Sequence, residues 1–189
     1  MGDATERELV LEISRGNQVA YKQVLEAQLP AVARYVSRMM GGSREAEDIT
    51  QEVFLRLWTH AGDYHAGQAR LTTWLHNIAH NLCIDYFRKH KRIVHEPPAD
   101  DIEGGPEPDR QFFVALTSEQ VRQGVMRLPE RQRSALILCH FQGLTNKDAA
   151  IILDVSVDAL ESLLARARRK LKTSLSDNYD SEQLSRSDR

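Results

Sequence analysis

Cysteine is scarce in this chain. Cys83 and Cys139 are its only two, far apart and without a CxxC partner, which excludes a disulfide framework and argues for buried thiols in a reducing compartment. Long apolar runs are also missing. None approaches the roughly 18 residues a membrane span needs, and the first residues, Met1 to Glu6, lack the basic and apolar parts of a secretion signal. A cytoplasmic protein without membrane insertion is expected. Catalytic signatures are absent as well: there is no HExxH, GxSxG or Walker sequence, so no catalytic residue, metal or cofactor is expected. His76, His80 and Cys83 recur at helical spacing, but no fourth ligand with zinc-like spacing accompanies them and Cys83 falls in an apolar stripe.

Proline is not scarce everywhere. Four of the six prolines lie between 93 and 118, together with Gly104 and Gly105, and this stretch reads as a linker. Charge divides the chain at the same place. The net charge of −2 looks wrong for a nucleic-acid binder, yet residues 20–92 hold 10 Lys/Arg against 7 Asp/Glu and residues 119–172 hold 10 against 6. The linker holds 1 against 6. Two basic modules joined by an acidic connector are therefore hidden behind a neutral total.

The remaining segments carry helical periodicity, which predicts an all-α protein of two small helical domains. The expected division is a first domain over 1–92, a linker over 93–118, a second domain over 119–175 and a disordered tail over 176–189 rich in Ser, Asp and Arg. The two domains are expected to fold separately. In the first, Leu9, Val10 and Ile13 point inward. Val19, Val24, Leu25, Leu29, Val32, Val36, Met39 and Met40 continue the apolar side until Gly41-Gly42, and Ser43 is a plausible cap for the next helix.

In the second domain, Thr145 with Asp148 three residues on resembles a capping box, and Asp154-Val155-Ser156 forms a turn. Ser156 then caps a helix whose inner side is Val157, Leu160, Leu164, Ala167 and Leu171. This is a helix-turn-helix pattern. Its outer side carries Asp158, Ala159, Glu161 and Ser162 first and Arg166, Arg168, Arg169 and Lys170 later, a layout suited to base edges followed by phosphates.

Two faces of the first domain are unusual. Ile49, Val53, Phe54, Leu57 and Trp58 cover one side of the helix over 44–60, but Leu55 sits opposite among Asp48, Gln51, Glu52 and Arg56. An apolar anchor ringed by polar groups fits protein docking, although a lone exposed leucine is also commonplace. Over 72–92, Leu75, Ile78, Ala79, Leu82, Cys83 and Tyr86 form a core stripe, while His76, Asn77, His80, Asn81, Phe87, Arg88 and Lys91 line the other side. Amides, imidazoles, an aromatic and cations together suit single-stranded nucleic acid. An ordinary wet face would show the same residues.

With these residues in view, the chain resembles bacterial RNA polymerase sigma factors of the extracytoplasmic-function (ECF) group over roughly 18–172. Asp48-Ile49-Thr50-Gln51-Glu52-Val53-Phe54-Leu55-Arg56-Leu57-Trp58 is similar to region 2.2, which implies docking on core RNA polymerase through Asp48, Gln51, Glu52 and Leu55. The run from Thr73 to Lys89 resembles regions 2.3 and 2.4, which implies −10 contacts from His76, Asn77, His80, Asn81, Arg88 and Lys91. The stretch from Leu128 onward resembles region 4, which implies −35 contacts from Asp158, Ala159, Ser162, Arg166, Arg168 and Arg169. The implied partners are the β′ and β subunits of core polymerase, promoter DNA and an anti-sigma factor. Leu71, His80, Glu161 and Leu163 depart from the common pattern. A stand-alone helix-turn-helix regulator and a helical protein-binding adaptor remain alternatives.

Overall fold

The computed structural model describes residues 3–90 and 118–187, with side chains over 5–90 and 119–174. Residues 1–2, 91–117 and 188–189 lie outside this range, Lys91 and nearly all of the expected linker among them. Helix α1 (Asp3–Ser14) ends at Gly16, and Asn17 starts α2 (Gln18–Met40) by accepting from Val19 N at 2.9 Å and Ala20 N at 3.2 Å. Such a cap contributes about 1 kcal/mol. Helix α2 continues through Pro30 and stops at Gly41, whose φ of +69° only glycine adopts readily. A Cβ at Gly41 would also lie 2.9 Å from the Met126 methyl of the second module.

Helix α3 (Glu45–His60) places Glu45, Glu47 and Asp48 in its first turn, where carboxylates favour the helix dipole. Ser43 does not cap it; Arg44 holds the cap position without a side-chain bond. After a single 3-10 turn (Ala61–Asp63) and a loop, α4 (Leu71–His90) begins under Glu6, whose carboxylate accepts from the Leu71 amide at 3.2 Å. Val24, Val36, Val53, Leu57, Leu75 and Ala79 are fully buried where α2, α3 and α4 meet. Val19 and Leu29, expected inward, are instead 68% and 39% exposed.

The second module comprises α5 (Ser118–Met126), α6 (Glu130–Leu136) continuing as a π segment (Ile137–Phe141), α7 (Asn146–Leu153) and α8 (Val157–Ser187). The expected caps are present: Thr145 accepts from Asp148 N at 3.1 Å, and Ser156 accepts from Ala159 N at 3.1 Å. Asp154 closes α7 in the left-handed region at φ 52°. Leu160, Leu164, Ala167 and Leu171 are buried as their spacing requires, but Val157, at the helix start, is 40% exposed.

Two expectations need correction. Helix α8 does not stop near 175; it runs to Ser187, and residues 172–187 contain no Gly or Pro to interrupt it. Nor do the modules stand apart. Helix α4 packs along α7, and α2 meets α5 and the π segment. Among the described residues, no helix is long and apolar enough to cross a membrane.

Candidate protein-docking and nucleic-acid interfaces

Apolar side chains of α2 and α3 converge in the first module. Tyr21, Leu25 and Leu29 of α2 and Phe54, Leu55 and Trp58 of α3 line an open groove of about 730 Å³. Its floor is held by the Tyr21 hydroxyl donating to the Phe54 carbonyl at 3.2 Å and by an edge contact of Tyr21 on Trp58, centroids 5.2 Å apart. Leu55 is 54% exposed at the rim. Beside it Asp48 and Gln51 are exposed, and Glu52 is half-buried in an ion pair with Arg56 at 2.9 Å. The isolated leucine of the sequence therefore belongs to a continuous apolar surface bordered by polar groups. Leu29 broke the inward pattern because it helps build this surface.

The polar side of α4 has a different fate. His76 is 1% exposed, packed edge-on against the Tyr35 ring with centroids 5.4 Å apart, and His80 is 8% exposed, in contact with Ser134 of the second module. His80 Nδ1 lies 3.1 Å from the Tyr35 hydroxyl and 2.9 Å from Ser134 Oγ, which are themselves 2.7 Å apart. With Nδ1 accepting, one hydroxyl donates to the ring and the other donates to that hydroxyl, so neutral His80 closes the triangle. Burial, assisted by the Arg131 charge, lowers the His80 pKa to about 4. His76 donates from Nδ1 to the Thr72 carbonyl at 2.7 Å, and its buried Nε2 has no partner. The Asn77 amide donates to the Ile152 carbonyl at 3.4 Å. Asn81 and Arg88 stay exposed; Arg88 pairs with Asp85 at 3.0 Å. Lys91 lies outside the described residues.

Other side chains tie the same faces together. Arg133, 8% exposed, donates to the Met39 carbonyl of α2 at 3.0 Å and to the Met126 and Leu128 carbonyls of its own module, with its guanidinium 5.5 Å above Phe87. Thr73 donates to Asp148 at 3.2 Å. Arg38 lies 4.9 Å over the Phe141 ring. Tyr35, Arg133 and Ser134 were not singled out by sequence. A tyrosine on the inner side of α2 was the available signal, since a buried phenol requires a polar partner.

Helix α8 presents an open face. Asp158, Ala159, Ser162 and Arg166 are all exposed along one side of its first half. Glu161 is exposed too and accepts from the Asn146 amide at 3.2 Å. Arg168 is half-buried and donates to His140 Nε2 at 3.3 Å, and Arg169 is half-buried as well. The geometry thus groups four of the six candidate residues and sets Arg168 and Arg169 away from that open strip. Cys83 is fully buried and its thiol is pushed up to about 12 by burial, with Arg133 opposing, so it stays a protonated thiol at neutral pH. Among the described residues, no group of His, Cys, Asp and Glu is arranged to hold a metal.

Comparison with known proteins matches residues 24–93 to sigma-70 region 2 and residues 118–171 to sigma-70 region 4. The ECF RNA polymerase sigma factor SigM of Bacillus subtilis is 32% identical over 157 residues, covering 79% of this chain and 91% of that protein. Among solved structures, the sigma factor RpoE of Bartonella quintana, crystallised with the anti-sigma factor NepR, is 26% identical with a TM-score of 0.66 and covers 82% of this chain and 96% of RpoE. CnrH, solved in complex with the cytosolic domain of CnrY, shares the fold at 24% identity and a TM-score of 0.68, covering 92% of this chain and 98% of CnrH.

Proposed function

Since the chain belongs to the ECF group of RNA polymerase sigma factors, transcription initiation factors rather than enzymes, we propose a division of labour among its three surfaces. The α2–α3 groove, with Leu55 at its rim and Asp48, Gln51 and Glu52 around it, docks on core polymerase. The polar side of α4, from His76 to Arg88, engages the unpaired −10 strand. The open side of α8, from Asp158 to Arg166, lies in the major groove at the −35 element. Stacking and phosphate neutralisation would capture the single strand, and base-edge contacts would read the duplex. An anti-sigma factor, of the kind bound to RpoE of Bartonella quintana, is the expected inhibitory partner.

The observation carrying this proposal is the groove. A half-exposed Leu55 beside aromatic rings and a polar rim is what a transient protein interface requires, an apolar anchor inside a wettable border. A stand-alone DNA-binding regulator would have no use for it. Transcription with purified core polymerase on a randomised promoter pool tests the assignment and returns the promoter preference. Leu55→Arg should weaken core binding by about 2 kcal/mol or more, the scale of a central hot spot. Unaltered core binding by this variant would remove the groove from the proposal.

A further inference from the structure

Part of the polar side of α4 cannot meet DNA in the arrangement described above, because the second module already engages His80 and Asn77. Ser134 comes from α6, Tyr35 from α2 and His80 from α4, and their polar atoms close a triangle with sides of 2.7 to 3.1 Å. Asn77 is engaged with the α7 backbone and Thr73 with Asp148. Asp148 also accepts from Thr145 at 2.6 Å, within the cap that starts α7. The first helix of the helix-turn-helix is thereby tied to the proposed −10 surface.

Apolar side chains of both modules belong to one buried cluster, but the polar groups set into this contact can exchange their partners for water when the modules part, so the net contribution of each is small. Arg133 acts as the pin: its guanidinium reaches from its own module to the Met39 carbonyl at the end of α2.

We propose that the Tyr35–His80–Ser134 triangle and Arg133 latch the free protein in an autoinhibited form, in which the second module covers the −10 surface and must swing away before promoter engagement. This rests on the assignment of the α4 polar side to unpaired DNA. Groove docking is independent of the latch, since Leu55 and its surroundings face away from the covered side and stay open when the modules are closed.

Two measurements on the full chain test the latch. Ser134→Phe wedges a ring into a fully buried position between the modules. The radius of gyration from small-angle X-ray scattering should rise, and affinity for a fluorescein-labelled pool of randomised single-stranded DNA should increase about tenfold, because apparent affinity scales with the competent fraction. An unchanged radius overturns the latch. A larger radius without tighter DNA binding overturns the covering of α4. If Ser134→Phe loses helical circular dichroism, Arg38→Glu at the half-buried rim over Phe141 decides by the same two readouts. That change removes a cation, so a gain in DNA affinity cannot come from charge. Capture of core polymerase, followed in parallel, separates the two ideas. Opening with DNA gain but no polymerase capture supports the latch and defeats the docking proposal; capture without opening does the reverse.

Discussion

Helices α4 and α8 both pair an apolar stripe with a polar side, yet the polar side of α4 is largely buried and that of α8 is open. His76 and His80 are almost inaccessible, while Asp158, Ser162 and Arg166 face solvent. The difference shows what residue chemistry does to a buried polar surface. Once covered, each group needs a partner, and α4 finds them in Ser134, Ile152 and Asp148 of the other module. On α8 the open strip keeps access to water. The inner side of the helix carries the apolar packing.

The largest effect should come from that inner side. Leu160→Ala, at a position of no exposure, should lower stability by about 2–5 kcal/mol in chemical denaturation. Ser162→Ala, two residues on and exposed, should stay within about 0.5 kcal/mol. Equal losses would erase the distinction between the two sides of α8.

Acid should break the α4 side selectively. His80 has its pKa lowered to about 4 by burial and by Arg131, against an ordinary 6.5 when the modules part. Around it stand Tyr35 of α2 and Ser134 of α6, with no carboxylate among its bonded partners. Because the closed-state pKa is the lower one, closure is fully stabilised above pH 6.5 and loses stability as pH falls towards 4. The loss approaches about 1.4 kcal/mol per pH unit within that window. Scattering at pH 7 and pH 5 should show opening at the lower pH, and His80→Asn should flatten the response. A closed form indifferent to pH in the native chain would show that His80 is not a member of the joint.

A smaller effect is expected from the open side of α8. Arg166→Ala should cost about 1–3 kcal/mol of binding at the −35 element, measured by anisotropy on promoter duplexes, with core binding intact. The smallest is Glu161→Lys, which exchanges the Asn146 contact for a cation facing DNA. It should strengthen duplex binding without sequence preference and steepen the salt dependence by about 0.9 in log–log slope. An unchanged slope would place position 161 away from the phosphates.

Much of the fold was legible because its signals are local. Thr145 and Asp148, Ser156, and Gly41 mark helix ends through bonds within a few residues, and Leu160, Leu164 and Leu171 mark a buried side by spacing alone. The candidate surfaces were legible in residue type but not in state. Leu29 and Leu55 carry the same apolarity as core residues, and only the groove shows why they are exposed. The helical extension to Ser187 is signalled only by the absence of helix breakers, which a Ser- and Asp-rich composition obscures.

By itself the sequence determined two basic helical modules, their caps, their apolar stripes and the polar character of α4 and α8, because these depend on neighbours three or four residues away. Tertiary structure alone decided that Tyr35, His80 and Ser134 meet. They come from positions 45 and 54 residues apart along the chain, and no periodicity links them. Burial of a polar side chain depends on which surface arrives opposite it, and that is settled by packing between modules rather than by the pattern within either one.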